Sequence, residues 1–567
     1  MIILLHQYLL RYTTASISLL VMMSISGCSG DNKTSTNLSD PSHESFLLPE
    51  VPPQERVVVS SNSLKNQEAP IPPQCYTKTE GKHNPCYVCH QLYDDRNERY
   101  RMNRLDDGGI QGGYLFSDIG ITNHWSNLFV DRQSWVDSIS DDQIIEYINQ
   151  DNYSALPNQL SSGGWKGFIP DLKNYEDAGA AFNPDGIAKD GSDWVAFNYK
   201  PMPSTFWPTN GSTDDVVIRL PQKFRSQNER RNLTLYKLNL AIVEMSMKGL
   251  QKIAIPETNE LELQIDLNQD GMLSEAVSEM TSRSFYVGDA AEILVQPQQF
   301  PQGTELMHSV RYVGVTSNGE ITIPKRMKEL RYMEKVKVLS DSELTTRYDR
   351  ERKEKVLEEL PYYVDHGDRG FSNGMGWLVQ GFIENYDGEL RPQSYEEKMA
   401  CMGCHSAIGT TIDNTFSFAR KITGPAGWGY INLRGMKDAP SISEKPLTNK
   451  TNSEYQGEIF QYLVTSGGGN EFRANPEMLE KWFLPSGKVN EEAVKNADVY
   501  DLITPSKTRA LQLNKAYTHI VRHQSFIHGR DATLNVPLNV FESIDESVAP
   551  LKPESRLMGW DIQLNWQ

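Results

Sequence analysis

Two stretches of the 567-residue chain carry residue types whose spacing specifies a chemistry: Cys86-Tyr-Val-Cys89-His90 and Cys401-Met-Gly-Cys404-His405. Cysteines three positions apart can each form a thioether with one vinyl group of a single porphyrin, and the histidine that follows reaches the iron as proximal ligand. Each motif therefore reads as a covalent attachment site for haem. Cys86, Cys89, Cys401 and Cys404 would hold two porphyrins, and His90 and His405 the two irons. A Cys-x-x-Cys pair also serves as a thioredoxin-like dithiol, and two pairs together as a four-cysteine zinc site. Neither use gives the trailing histidines a role.

With one histidine fixed, the occupant of the remaining axial position decides between an electron carrier and a catalyst. Three side chains are candidates for that distal position. His124 sits in Thr122-Asn-His-Trp125, Met436 follows His405 in a turn-like segment, and His519 shares one side of a helix with His523. Met102 stands behind these, while His308 and His366 read as structural. Asp266-Leu-Asn268-Gln-Asp270-Gly271 matches the start of a calcium loop, with Asp266, Asn268 and Asp270 as ligands. The twelfth position is Val277 where such a loop has glutamate, so the rival reading is an acidic turn.

The elements that must position these groups divide the chain into five stretches. Residues 1–28 carry an apolar run, Thr13 to Ile25, after Arg11, and end in Ile25-Ser-Gly-Cys28. This is the pattern of a bacterial lipoprotein signal with Cys28 as the lipidated residue. The run is short for a membrane span. Ser29 after the cysteine, where aspartate would signal inner-membrane retention, points to the outer membrane. Residues 29–73 are polar and proline-bearing and read as a flexible tether.

Residues 74–213 form a loop-rich first haem region, with a capping box at Ser140 to Gln143. Residues 214–388 form a mixed central region. Strands are expected at 216–220, 260–265, 291–295, 308–315 and 377–383, a buried helix at 232–249, and a second capping box at Ser340. Residues 389–567 form a helical second haem region. It opens with a capping box at Ser394 and continues with helices from Asn452, Asn475-Pro476 and Thr504-Pro505. The expected fold class is α+β, with helical, loop-rich haem regions flanking a mixed α+β centre.

The formal charge is −18, or −19 once Arg11 leaves with the signal. That balance argues against nucleic acid and suits a basic redox partner protein. Four cysteines go to haem and Cys28 to lipid, leaving Cys75 as a lone thiol that is buried, pairs between chains or ligates iron. The chain resembles di-haem c-type cytochrome lipoproteins. More distantly, through Leu433-Arg-Gly-x-x-x-Ala-Pro440 and the haem count, it resembles bacterial di-haem cytochrome c peroxidases. The resemblance implies two haem c groups, a periplasmic protein held to the membrane by lipid alone, and electron transfer between redox partners. The alternative is a haem peroxidase or oxygenase with one open site and one relay haem.

Overall fold

Seven antiparallel strands form the sheet on which the candidate site is built. They are β1 (Val195–Ala196), β2 (Thr213–Arg219), β3 (Glu305–Arg311), β4 (Met327–Lys335), β5 (Phe371–Ser372), β6 (Trp377–Glu384) and β7 (Leu390–Pro392). Their order is β1-β2-β3-β4-β6-β5, with β7 also paired to β6. In this computed structural model the described residues are 48–59, 64–91, 108–357, 363–406, 408–442, 454–469, 475–556 and 560–567. Cys28 and Met102 lie outside them. The fold is α+β, as expected.

Because side chains alternate along a strand, each sheet face collects its own set. Val217, Met307, Leu330 and Phe382 join one apolar cluster. Val216, Leu306, Met333 and Val379 face the other way, into the main core. That core also takes Ala69 from the stretch expected as a tether, Tyr76 and Tyr87 from residues 74–213, and Trp560 and Ile562 from near the C-terminus. Residues 46–567 accordingly pack as one unit.

Helix α1 (Asp141–Asn149) begins at the expected capping box, in which Ser140 Oγ accepts from Gln143 N and Gln143 bonds the Ser140 amide. Helix α2 (Leu233–Lys248) is apolar on too many sides for a surface helix and is buried accordingly. It is capped by Asn232 and ends at Gly249, whose φ of 63° is the left-handed conformation glycine adopts without strain. Helix α3 (Asp341–Leu357) starts at Ser340, whose amide and hydroxyl bond Glu343.

Several expectations differ from the structure. Residues 48–73 do not behave as a tether where they are described: Leu48, Val51 and Ala69 are buried, and Val57 N donates to His523 O at 2.8 Å. The stretch expected as a strand at 260–265 is a helical turn, Glu260–Leu263, because Asn259 caps it and Gln264 closes it in the left-handed region. Residues 291–295 form a turn after the short 3-10 helix Gly288–Ala290. Strand β4 was not expected at all. In the last region the helix expected from Thr504 starts at Lys507, because Ser506 supplies the cap that Pro505 precedes. The start expected at Asn452 falls outside the described residues, and the helix there is Glu458–Ser466.

Beside the sheet, one buried ionic group ties residues 74–213 to the last region and a second ties the central region to it. Arg420 bonds both carboxylate oxygens of Glu458, at 2.8 and 2.5 Å, and Lys200 bonds Glu458 and Asp438 at 2.8 and 2.7 Å. All four side chains are fully buried. The next residue, Lys421, joins Glu244 at 2.8 Å, and Glu244 also holds Lys248 at 2.8 Å.

Candidate functional site

Helix α4 (Tyr395–Met399) delivers the second motif. Ser394 Oγ accepts from Glu397 N and Glu397 returns a bond to the Ser394 amide, so this short helix is closed by the expected capping box. Glu397 is also gripped by Arg391 through two bonds of 2.8 Å. Its carboxyl is therefore held below the usual range, against the cost of burial. Replacing Ser394 by alanine should lower stability by about 1 kcal/mol, read as a shifted urea midpoint with unchanged slope. An unchanged midpoint would remove the cap from the account.

Both motifs fold alike. In the first, Cys89 N and His90 N donate to Cys86 O at 3.1 and 2.8 Å. In the second, Cys404 N and His405 N donate to Cys401 O at 3.2 and 3.0 Å. Each is a single tight turn closed by backbone hydrogen bonds, with two thiols and an imidazole within five consecutive residues, and each sits in a 3-10 segment, Cys86–Val88 and Ala400–Gly403. All five described cysteines are free thiols. Burial pushes Cys86 up to about 12 and Cys404 to about 11, against the neighbouring Arg331 in the second case. A dithiol nucleophile needs the opposite shift. Nor do the two Cys-x-x-Cys pairs converge as a zinc site: no group of three metal-ligating side chains occurs among the described residues.

The two motifs, 315 positions apart in sequence (401 minus 86), are neighbours in space. Gln91, directly after His90, donates through Nε2 to Thr410 Oγ1 at 2.9 Å, five residues beyond His405. Gly403, inside the second motif, lies against Pro70 and Pro72. Cys75 stands between the motifs, its thiol pushed up to about 12 by burial and then by both Cys86 and Cys404.

His405 donates from Nδ1 to Asn414 O at 2.9 Å. A carbonyl can only accept, so this bond fixes the tautomer and leaves Nε2 as the lone-pair nitrogen. Burial lowers the ring to about 4, more than the Asn414 carbonyl raises it, so the imidazole is neutral at ordinary pH. A metal-ligating histidine is commonly held in this way, with its second nitrogen bonded to a carbonyl.

Cys401, Cys404 and His405 open onto a cavity of about 340 Å³. The sheet forms a wall of it through Val216, Leu306, His308, Val310, Arg331 and Met333, and Phe416 and Trp125 add aromatic lining. Arg331 and Arg530 also reach it, and both bond Glu329 Oε2, at 3.0 and 2.6 Å. Lys328 lies over the Tyr517 ring at 3.8 Å and donates to Gly211 O at 2.7 Å; burial lowers it to about 7.

Glu329 is buried, yet Arg331 and Arg530 bring its carboxyl down to about 2 from 4.5. A depressed carboxylate stabilises the fold above its unfolded pKa, and that contribution is lost as pH falls toward the folded value. The stability difference between the wild type and Glu329→Gln should therefore be constant above pH 4.5 and shrink between pH 4.5 and about 2. A gap that stays constant through that window would contradict the pairing.

The side chains expected as distal ligands have other neighbours than the Cys401–His405 motif. His124 is tied to Ile119 O at 3.1 Å, Met436 is buried in the core, and His519 stacks on His523 at 4.0 Å and meets Trp135 edge-on. None of the three lines the cavity. His308, read from sequence as structural, does. In the calcium-like loop, Asp266 accepts from the amides of Gln269 and Gly271, and Asp270 from that of Met272. Buried Glu260 closes the loop by accepting from Leu267 N and Ser274 N. These carboxylates serve the turn's own amides.

Residues 58–502 match a lipoprotein family, and the chain belongs to that family. It is 32% identical over 522 residues to an uncharacterized lipoprotein of Aquifex aeolicus (strain VF5), covering 83% of this chain and 87% of the relative. No solved structure matches. Membership fits a lipid-anchored, exported protein, and no helix among the described residues is long and apolar enough to cross a membrane.

Proposed function

We propose that this lipoprotein is a di-haem c-type cytochrome that passes electrons between redox partner proteins in the periplasm or at the outer membrane, anchored through Cys28. The observation that carries the reading is the adjacency of two identically folded Cys-x-x-Cys-His turns, joined by Gln91 and Thr410. Groups attached at these turns would lie side by side, as a relay requires.

The residues of the second site fit haem. Cys401 and Cys404 line a cavity of mixed apolar and charged walls, His405 has its tautomer fixed by Asn414 with Nε2 left to ligate, and Arg331 and Arg530 provide positive charge for propionates. Bound there, haem would supply one-electron exchange between ferrous and ferric iron. Cys401 and Cys404 would hold the ring by two thioethers, the Asn414 carbonyl orients the His405 imidazole, and Phe416, Trp125 and Leu306 would cover the ring with apolar surface.

The net charge of −18 favours a basic partner. The test mixes the reduced, full-chain protein with a basic mono-haem cytochrome and, separately, with hydrogen peroxide. A carrier gives rapid oxidation by the cytochrome, slowed steeply by added salt, and no sustained peroxide consumption. Sustained peroxide turnover would replace this reading with the peroxidase alternative.

A further inference from the structure

We infer that His308 is the second axial ligand at the Cys401–His405 site. The inference rests on haem being attached there.

His308 lies in the middle of β3, paired in register with Val216 of β2 and Arg331 of β4. Alternation along β3 sends Leu306, His308 and Val310 to the cavity face, and the same cavity is lined by His405 from the motif loop. The two imidazoles thus line one space from different elements, one on a loop and one on a strand paired on both sides.

The His308 side chain is 18% exposed, and its Nε2 is buried without a hydrogen bond. Asp214 Oδ2 is 3.4 Å away and accepts from the Tyr199 hydroxyl. Phe206 packs edge-on against the ring at 5.1 Å and fixes its plane. A buried imidazole nitrogen with no partner costs free energy, and ligation would give that nitrogen a partner.

Other cavity residues fit the role less well. The thioethers of Met202 and Met333 are at rest in an apolar core and need no partner. Lys328 spends its ammonium on Gly211 O and Ser212 Oγ. Tyr517 is a buried neutral phenol, a weak ligand until ionised, and burial beside Glu329 and Glu384 opposes ionisation. Ligation from both sides closes the site to exogenous ligands, which suits electron transfer.

The experiment uses the purified full chain, with covalent haem counted per chain and spectra of the reduced protein recorded before and after carbon monoxide. The wild type should show no carbon monoxide shift at the second haem. His308→Ala should make one haem per chain high-spin and carbon monoxide-binding, with two haems still attached. His308→Met, which keeps the strand filled, should remain low-spin with a raised midpoint potential, because a methionine sulfur replaces nitrogen. A low-spin, carbon monoxide-insensitive His308→Ala protein, or a His308→Met protein of unchanged potential, would overturn the assignment. So would carbon monoxide binding to the wild-type second haem. Fewer than two haems per wild-type chain would instead defeat the di-haem reading itself.

Discussion

Replacing His405 by alanine is expected to leave haem attached at Cys401 and Cys404 while removing the low-spin spectrum of one haem. The thioethers do not depend on the imidazole, so the haem count stays at two. The variant loses the neutral Nε2 that the Asn414 carbonyl fixes, and no other side chain of the motif turn replaces it. Roughly half of the sharp reduced α-band should disappear, since the first site keeps its own ligands. The effect should be local: secondary structure by circular dichroism stays as in the wild type. A His405→Ala protein with an unaltered reduced spectrum would refute the ligand assignment.

The second large effect is on stability. Glu458 is fully buried and neutralises Arg420 and Lys200, which are fully buried as well. Burial by itself would raise its carboxyl, but Arg420 and Lys200 hold it below the usual range. Glu458→Ala leaves Arg420 bonded only to backbone carbonyls, those of Lys200, Pro201 and Ile562, and Lys200 with Asp438 alone among carboxylates. Removing one partner of a buried ionic group costs about 3–5 kcal/mol. The helix that begins at Glu458 is affected too, because its first amides, Ile459 N and Phe460 N, donate to Asp438, a member of the same group. Equilibrium urea unfolding of the intact chain measures the loss. A cost below about 1 kcal/mol would show that the group is dispensable.

What could be read from the sequence was local. Spacing alone identifies Cys86–His90 and Cys401–His405, and the Ser140, Ser340 and Ser394 capping boxes form because their hydrogen bonds span three residues. Helix α2 was legible because its apolar residues spread over too many sides for a surface helix.

What could not be read depends on distant partners. Strand β4 carries Lys328 and Glu329 at buried positions and Arg331 at a half-buried one, which looks like surface sequence until Arg530, 201 residues away, is seen beside Glu329. His308 carries no mark of its role because only the register β2-β3-β4 shows that it shares a cavity with His405. The candidates His124, Met436 and His519 were chosen by chain neighbourhood or helix side, and neither predicts position across a fold of this size. The adjacency of the motifs depends on a contact of sequence separation 319, between Gln91 and Thr410.

The central claim is tested most directly by the intact mass of the full chain, expressed with a c-type haem attachment system and denatured before measurement. Two covalently bound haems per chain are expected. One should be lost in a Cys86→Ala/Cys89→Ala protein, the other in a Cys401→Ala/Cys404→Ala protein, and both when the changes are combined. A wild-type mass with no covalent haem, or a metal-bound protein whose zinc is lost with either cysteine pair, would contradict it.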